Sequence, residues 1–156
     1  MAENDRAEKD GIVTGVGGIF FKCRDREALA SWYQKKLGFP YDGIGASFLF
    51  REDDDPKKAG YLVWGPFRKD SDYFRPSGKD YMINLRVRGL DALLKRLQAA
   101  GVEQIGEVEE YDYGRFAWIM DPEGTKIELW EQKGEPPIHE PDHEPGIEWG
   151  SEEKGE

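Results

Sequence analysis

Gly18-Ile19-Phe20-Phe21-Lys22-Cys23 and Met82-Ile83-Asn84-Leu85-Arg86-Val87 are two alternating runs that begin 64 residues apart. The same offset carries Gly60-Tyr61-Leu62-Val63-Trp64 onto Gly124-Thr125-Lys126-Ile127-Glu128. A chain that repeats itself in this way is built from two copies of one unit. Equivalent positions then lie about a shared pseudo-twofold axis and can be read as a set.

Working outward from these runs, side chains alternate between the two faces of a strand. In the strand predicted over Val16–Cys23, Ile19, Phe21 and Cys23 share one face, and Gly18, Phe20 and Lys22 share the other. Asp25 is placed to cap a helix over Arg26–Leu37. Leu29, Trp32, Tyr33 and Leu37 recur there at helical spacing, which predicts one buried stripe including Trp32. Gly38 is placed to end that helix in a left-handed conformation. Strand-like runs follow at Phe39–Gly43, Ala46–Glu52 and Gly60–Phe67, the last two joined by the charged loop Asp53 to Lys58. Arg68 to Lys79 is polar and reads as a linker between the copies.

The second copy repeats the order. A strand is expected over Tyr81–Val87 and a helix over Asp91–Ala100, with Leu90, Leu93, Leu94 and Leu97 inward and Gly101 at its end. Strands are expected over Val102–Glu107, Tyr113–Met120 and Thr125–Glu131. Asp121-Pro122-Glu123-Gly124 forms the turn before the last of them. Each copy is therefore β-α-β-β-β. From Ile19 to Gly38 is 19 residues and from Ile83 to Gly101 is 18, so the copies agree to within one residue.

The tandem βαβββ repeat, the Leu37-Gly38-Phe39 helix end and the closing Asp121-Pro122-Glu123-Gly124-Thr125-Lys126-Ile127-Glu128-Leu129 resemble the vicinal oxygen chelate superfamily. That group includes glyoxalase I, extradiol dioxygenases and the bleomycin- and fosfomycin-resistance proteins. The resemblance covers about residues 15–132. It implies an α+β fold of two modules, about 15–67 and 80–132, whose curved mixed sheets surround a cleft with helices outside. It also implies a divalent ion held by side chains on the first and last strand of each module. By the 64-residue offset those four positions are Gly18, Met82, Trp64 and Glu128. Glycine offers no ligand, methionine a soft thioether and tryptophan only a donor, so Glu128 alone suits a hard ion. No divalent metal and no other cofactor is expected.

What remains is an aromatic cleft with a few charged groups, lined by Phe20, Trp64, Met82, Asn84, Arg86, Glu128 and Trp130, in which Arg86 pairs with Glu128. The expected function is metal-independent binding of a small, cationic or aromatic molecule by a homodimer of the bleomycin-resistance type. One alternative is a glyoxalase-like lyase or isomerase, or a dioxygenase-related enzyme, with Glu128 as catalytic base or residual metal ligand. Another is a dimerisation scaffold whose cleft is filled by its own side chains. Tyr111, Tyr113 and Arg115 read as surface packing, with the cleft rim as the other possibility.

Composition bounds the partners. The 156 residues carry 22 Lys and Arg against 32 Asp and Glu, a net charge of -10. Phosphate-tracking nucleic-acid binding and attraction to an anionic membrane both need the opposite balance. No apolar run reaches the roughly 18 residues of a membrane span, and the polar start Met1 to Arg6 is not a secretory signal. Cys23 is the single cysteine, so no intramolecular disulfide forms, which fits the cytoplasm. It reads as a buried, inert thiol. Residues 1–11 read as a polar extension, 12–133 as one domain and 134–156 as an acidic, flexible tail. His139 and His143 lie in that tail, outside both copies.

Overall fold

The computed structural model describes residues 11–43, 45–53 and 55–136. The terminal extension, most of the acidic tail and both histidines fall outside the described residues. The first module comprises β1 (Ile12–Cys23), α1 (Arg26–Leu37), β2 (Ala46–Arg51) and β3 (Ala59–Arg68). The second comprises β4 (Tyr81–Arg88), α2 (Leu90–Ala99), β5 (Glu109–Tyr111), β6 (Gly114–Met120) and β7 (Lys126–Gln132). All seven strands form one open mixed sheet in the order β2-β3-β1-β4-β7-β6-β5. No helix among the described residues is long and apolar enough to cross a membrane.

The pseudo-twofold axis passes between β1 and β4. These strands run antiparallel with Ile19 opposite Ile83, Gly18 opposite Asn84 and Phe20 opposite Met82. Each is joined to the last strand of its own module by a parallel ladder, β1 to β3 and β4 to β7. A parallel neighbour needs a long crossover, and α1 and α2 supply it. Both helices lie on one face. There Ala30, Tyr41, Ala46 and Trp64 pack beneath α1, while Val87, Leu90, Leu93, Ala117 and Leu129 pack around α2. The opposite face is free to build a cleft.

Local chemistry sets the helix ends. Asp25 accepts a hydrogen bond from the Ala28 amide at 3.0 Å, and Gly38 takes φ 71°. The amides of Gly89 and Leu90 at the start of α2 are met by the Glu131 carboxylate at 3.0 and 3.3 Å. Arg115 bridges Glu131 and Asp91, so it braces this helix start rather than the cleft. Asp121 Oδ1 closes the last turn by accepting from Glu123 and Thr125, with Gly124 at φ 82°.

Several expectations shift. The predicted strand Phe39–Gly43 is only a single bridge from Tyr41 to Ala46, because Asp42 turns the chain by accepting from Gly45. Val102–Glu107 likewise makes one bridge, Gln104 to Ile119, and the strand proper begins at Glu109. Trp32 is 51% exposed, and Leu37 is exposed as well. The inward face of α1 is narrower than the stripe and centres on Ala30. The stretch from Arg68 to Lys79 is more than a linker: Phe74 is wholly buried in the cleft-side core. Cys23 is half-buried, its thiol directed at the Phe67 carbonyl and its pKa raised by burial.

Candidate functional site

On the helix-free face a cavity of about 430 Å³ opens between β1, β4, β6 and β7. Its centre is Glu128, 4% exposed. Strand register places the neighbours of this carboxylate. Asn84 lies directly opposite it on β4 and Trp118 directly opposite on β6. Glu128 therefore accepts from Asn84 Nδ2 at 2.6 Å and from Trp118 Nε1 at 2.8 Å. A third donor, the Tyr73 hydroxyl at 2.5 Å, arrives from the segment between β3 and β4. Hydrogen bonds to a carboxylate are about twice as strong as neutral ones, and three of them fill most of its roughly four acceptor sites.

The walls are aromatic. Trp130 and Phe116 stack at 5.9 Å and an interplanar angle of 5°, and Tyr111 and Tyr113 stack at 5.5 Å. The Trp130 indole donates to the Tyr113 carbonyl at 3.1 Å, tying the two stacks together. Tyr61 meets Trp130 edge-on. Gly17 forms the floor. It is the extra residue of a bulge in β1, where Val16 pairs with Leu85 but Gly18 with Asn84. A Cβ at Gly17 would stand 2.3 Å from Asn84 Oδ1 and 2.9 Å from the Trp130 ring. The missing side chain lets Asn84, Arg86 and Trp130 close onto the backbone there.

Two carboxylates, Glu109 and Glu128, line the cavity, and among the described residues no Lys or Arg does so. Burial, reinforced by the Glu128 charge, holds the Tyr73 phenol far above its ordinary range. Burial pushes the Tyr61 phenol up to about 12. Lys126 sits behind the wall, over the rings of Tyr73 and Trp118, and donates to the Tyr73 carbonyl at 2.7 Å. Burial lowers its pKa, and the Glu128 charge opposes that shift.

Of the residues predicted from sequence, the structure brings Phe20, Asn84, Glu128 and Trp130 to the cavity. Met82 faces the same side but is buried beneath it, at 0% exposure. Trp64 does not reach it. It lies opposite Ile19, on the helix side, against Phe21, Tyr33 and Phe39. The expected Arg86–Glu128 pair is also absent. Arg86 lies two residues beyond Asn84, opposite Trp130. Its guanidinium is held between the Phe50 and Trp130 rings and bonds Glu52 at 3.2 Å.

Tyr111 and Tyr113 line the cavity, the alternative that sequence left open. Tyr61, Tyr73 and Trp118 were missed. For Tyr73 a signal existed: Tyr73-Phe74 is an aromatic pair inside an otherwise polar stretch. Trp118 was legible too, because it shares the β6 parity of Phe116.

Register corrects the four metal positions. Ile19 pairs with Trp64 but Ile83 pairs with Ile127, so the offset between the last strands is 63, not 64. The twofold mate of Glu128 is Gly65. Its lateral partner is Phe20, as Asn84 is that of Glu128. The set about the axis is thus Phe20, Gly65, Asn84 and Glu128. Phenylalanine and glycine offer no ligand, and Asn84 turns its NH2 donor toward Glu128. These residues do not fit a divalent ion.

Repeat, crossovers and cleft together define a paired-module βαβββ protein of the vicinal oxygen chelate superfamily. The chain belongs to the family with a glyoxalase-like domain, whose model matches residues 18–130. A variant of Streptomyces coelicolor methylmalonyl-CoA epimerase, in complex with 2-nitronate-propionyl-CoA, superposes with a TM-score of 0.56 at 21% identity, covering 79% of this chain and 100% of that one. A methylmalonyl-CoA epimerase in complex with methylmalonyl-CoA and NH4+ gives 0.55 at 20% identity, covering 80% and 100%. The Mn(II)-bound glyoxalase from Novosphingobium aromaticivorans gives 0.52 at 19% identity, covering 83% of this chain and 43% of that longer one. At these identities the likeness is one of fold. No protein of curated function matches the chain significantly.

Proposed function

We propose that the protein binds a small organic molecule in the Glu128 cleft without a metal ion, as a binding protein of the bleomycin-resistance type. One observation carries the reading. The single carboxylate at the family's metal locus is already held by Asn84, Tyr73 and Trp118. Those three donors take up most of the acceptor sites that an ion would need. Around that carboxylate the cavity presents π faces and acidic groups, which suit a flat or cationic ligand. The net charge of -10 favours the approach of a cation. The neighbouring epimerase structures hold coenzyme A derivatives in the same fold, which supports a small-molecule role at the cleft.

An open cavity of this size speaks against a scaffold whose cleft is closed by its own side chains. Base catalysis by Glu128 would require one of its three donors to withdraw. The proposal includes a cytoplasmic homodimer. Its support is an apolar strip on the helix face, where Val13, Val16, Ile19, Tyr81 and Ile83 are exposed between the helices. Calorimetric titration with a panel of aromatic cations, in the presence of a chelator, tests the function. Saturable binding without turnover is expected. Turnover with no affinity for any panel member would sink it.

A further inference from the structure

The cleft does not end at the Glu128 cavity. A second cavity of about 600 Å³ adjoins it, and Phe20 and Val63 line both. The Phe67 and Tyr73 rings stack at 5.5 Å across the border, Phe67 in the second cavity and Tyr73 in the first. Phe20 would divide the two if its ring stood up from the sheet. It leans down onto the sheet instead, because the residues beneath it are glycines. A Cβ at Gly65, its partner on β3, would stand 2.8 Å from the ring, and one at Gly18 would stand 2.7 Å from it.

The second cavity differs in chemistry. Its rim sets Arg26 and Arg68 against Asp70 and Asp72, so its charges balance. Arg26 is anchored by Nε, which donates to the Pro66 carbonyl at 2.9 Å, and Arg68 bonds Asp70 at 3.2 Å. Such a rim offers donors and acceptors side by side and favours neither sign of charge.

We propose that the ligand has two parts: a flat aromatic head in the Glu128 cavity, and a chain that crosses Phe20 to end in an uncharged amide or hydroxyl group among Arg26, Arg68, Asp70 and Asp72. The inference rests on the cleft being a binding site and adds the shape and polarity of what fills it. The head alone would leave the larger of the two cavities unused. An anionic tail would meet Asp70 and Asp72 as well as the arginines, and a cationic tail the reverse. A neutral amide donates to the carboxylates and accepts from the guanidinium groups. Hydrogen bonds to charged partners are about twice as strong as neutral ones. Set against the lost freedom of the chain, they should raise affinity about tenfold.

The test is calorimetric titration of N-methylquinolinium against N-alkylquinoliniums of increasing methylene spacer, each ended either in a primary carboxamide or in a methyl group. At the best spacer the carboxamide is expected to bind about tenfold tighter than both N-methylquinolinium and the methyl-ended compound of equal length. Arg68 and Asp70 are exposed, their side chains at 72% and 73%, so both can be replaced without disturbing the fold. In Arg68→Ala combined with Asp70→Ala the gain should shrink severalfold, while N-methylquinolinium binds as before. Carboxamides no tighter than their methyl-ended partners, or a gain untouched by the double substitution, would overturn the second cavity's role and leave the cleft reading standing. If no compound of the series binds, the cleft reading fails and takes this inference with it.

Discussion

Replacing Glu128 separates a carboxylate that holds the cleft together from one that is held there against its preference. Glu128→Leu removes the acceptor shared by Asn84 Nδ2, Trp118 Nε1 and the Tyr73 hydroxyl. The first two bonds are buried, and each donor left unpaired costs about 1–3 kcal/mol. Tyr73 has an exposed edge, and its hydroxyl can rotate toward water. The expected loss is therefore about 2–6 kcal/mol for two stranded donors. Glu128→Gln keeps one carbonyl oxygen and strands fewer, so it should lose about 1–3 kcal/mol. Urea denaturation of the three proteins gives the order wild type, Gln, Leu. Ultraviolet titration supplies an independent readout, since the Tyr73 phenol should ionise at lower pH once the neighbouring charge is gone. A Leu variant as stable as the parent, or more so, would refute this reasoning. It would mean that the carboxylate is stored strain rather than the centre of the network.

Three further outcomes follow from the packing. Glu52→Ala strands the Arg86 guanidinium, whose side chain is 6% exposed, and should cost about 3–5 kcal/mol in chemical denaturation. Glu52→Leu combined with Arg86→Met should recover most of that loss. Gly114→Ala places a Cβ 2.4 Å from Trp130 Nε1 at a backbone φ of 155° and should lose about 2 kcal/mol or more. Indole fluorescence should report the displaced Trp130. Tyr61 gives a pH signature. The native state holds its proton up to about pH 12, while the unfolded chain releases it near the ordinary phenol value of 10.0. Stability from this group is complete below that lower value and is lost as pH rises through the window between them. In Tyr61→Phe the alkaline decline should be shallower.

The first strands were legible in sequence because alternation and the 64-residue offset together fix which residues face each other. Ile19 stands opposite Ile83, as a twofold through that pair requires. Parity put Phe20 with the cleft-facing residues of β1, and Asn84, Glu128 and Trp130 with those of β4 and β7, on the face where the cavity opens. The last strands failed by a single step. Carrying the same offset through to Trp64 ignored the residue by which the second module is shorter between its first strand and Gly101. A one-residue slip reverses every side chain, so Trp64 went to the helices and Gly65 to the cleft. Arg86 and Glu128 share a face, but two residues of strand and the Trp130 ring separate them. Face parity says nothing of distance along the strand. Tyr73 left only its pairing with Phe74 as a signal. Its segment has no periodicity to read, and only the fold brings it across to Glu128.

Metal content tests the central claim most directly. Protein produced without an affinity tag, incubated with Mn(II) or Zn(II) and freed of unbound ion, should retain no stoichiometric metal. Its affinity for the aromatic cations of the panel should be unchanged by a chelator. One tightly held ion per chain, lost in Glu128→Ala, would contradict the account.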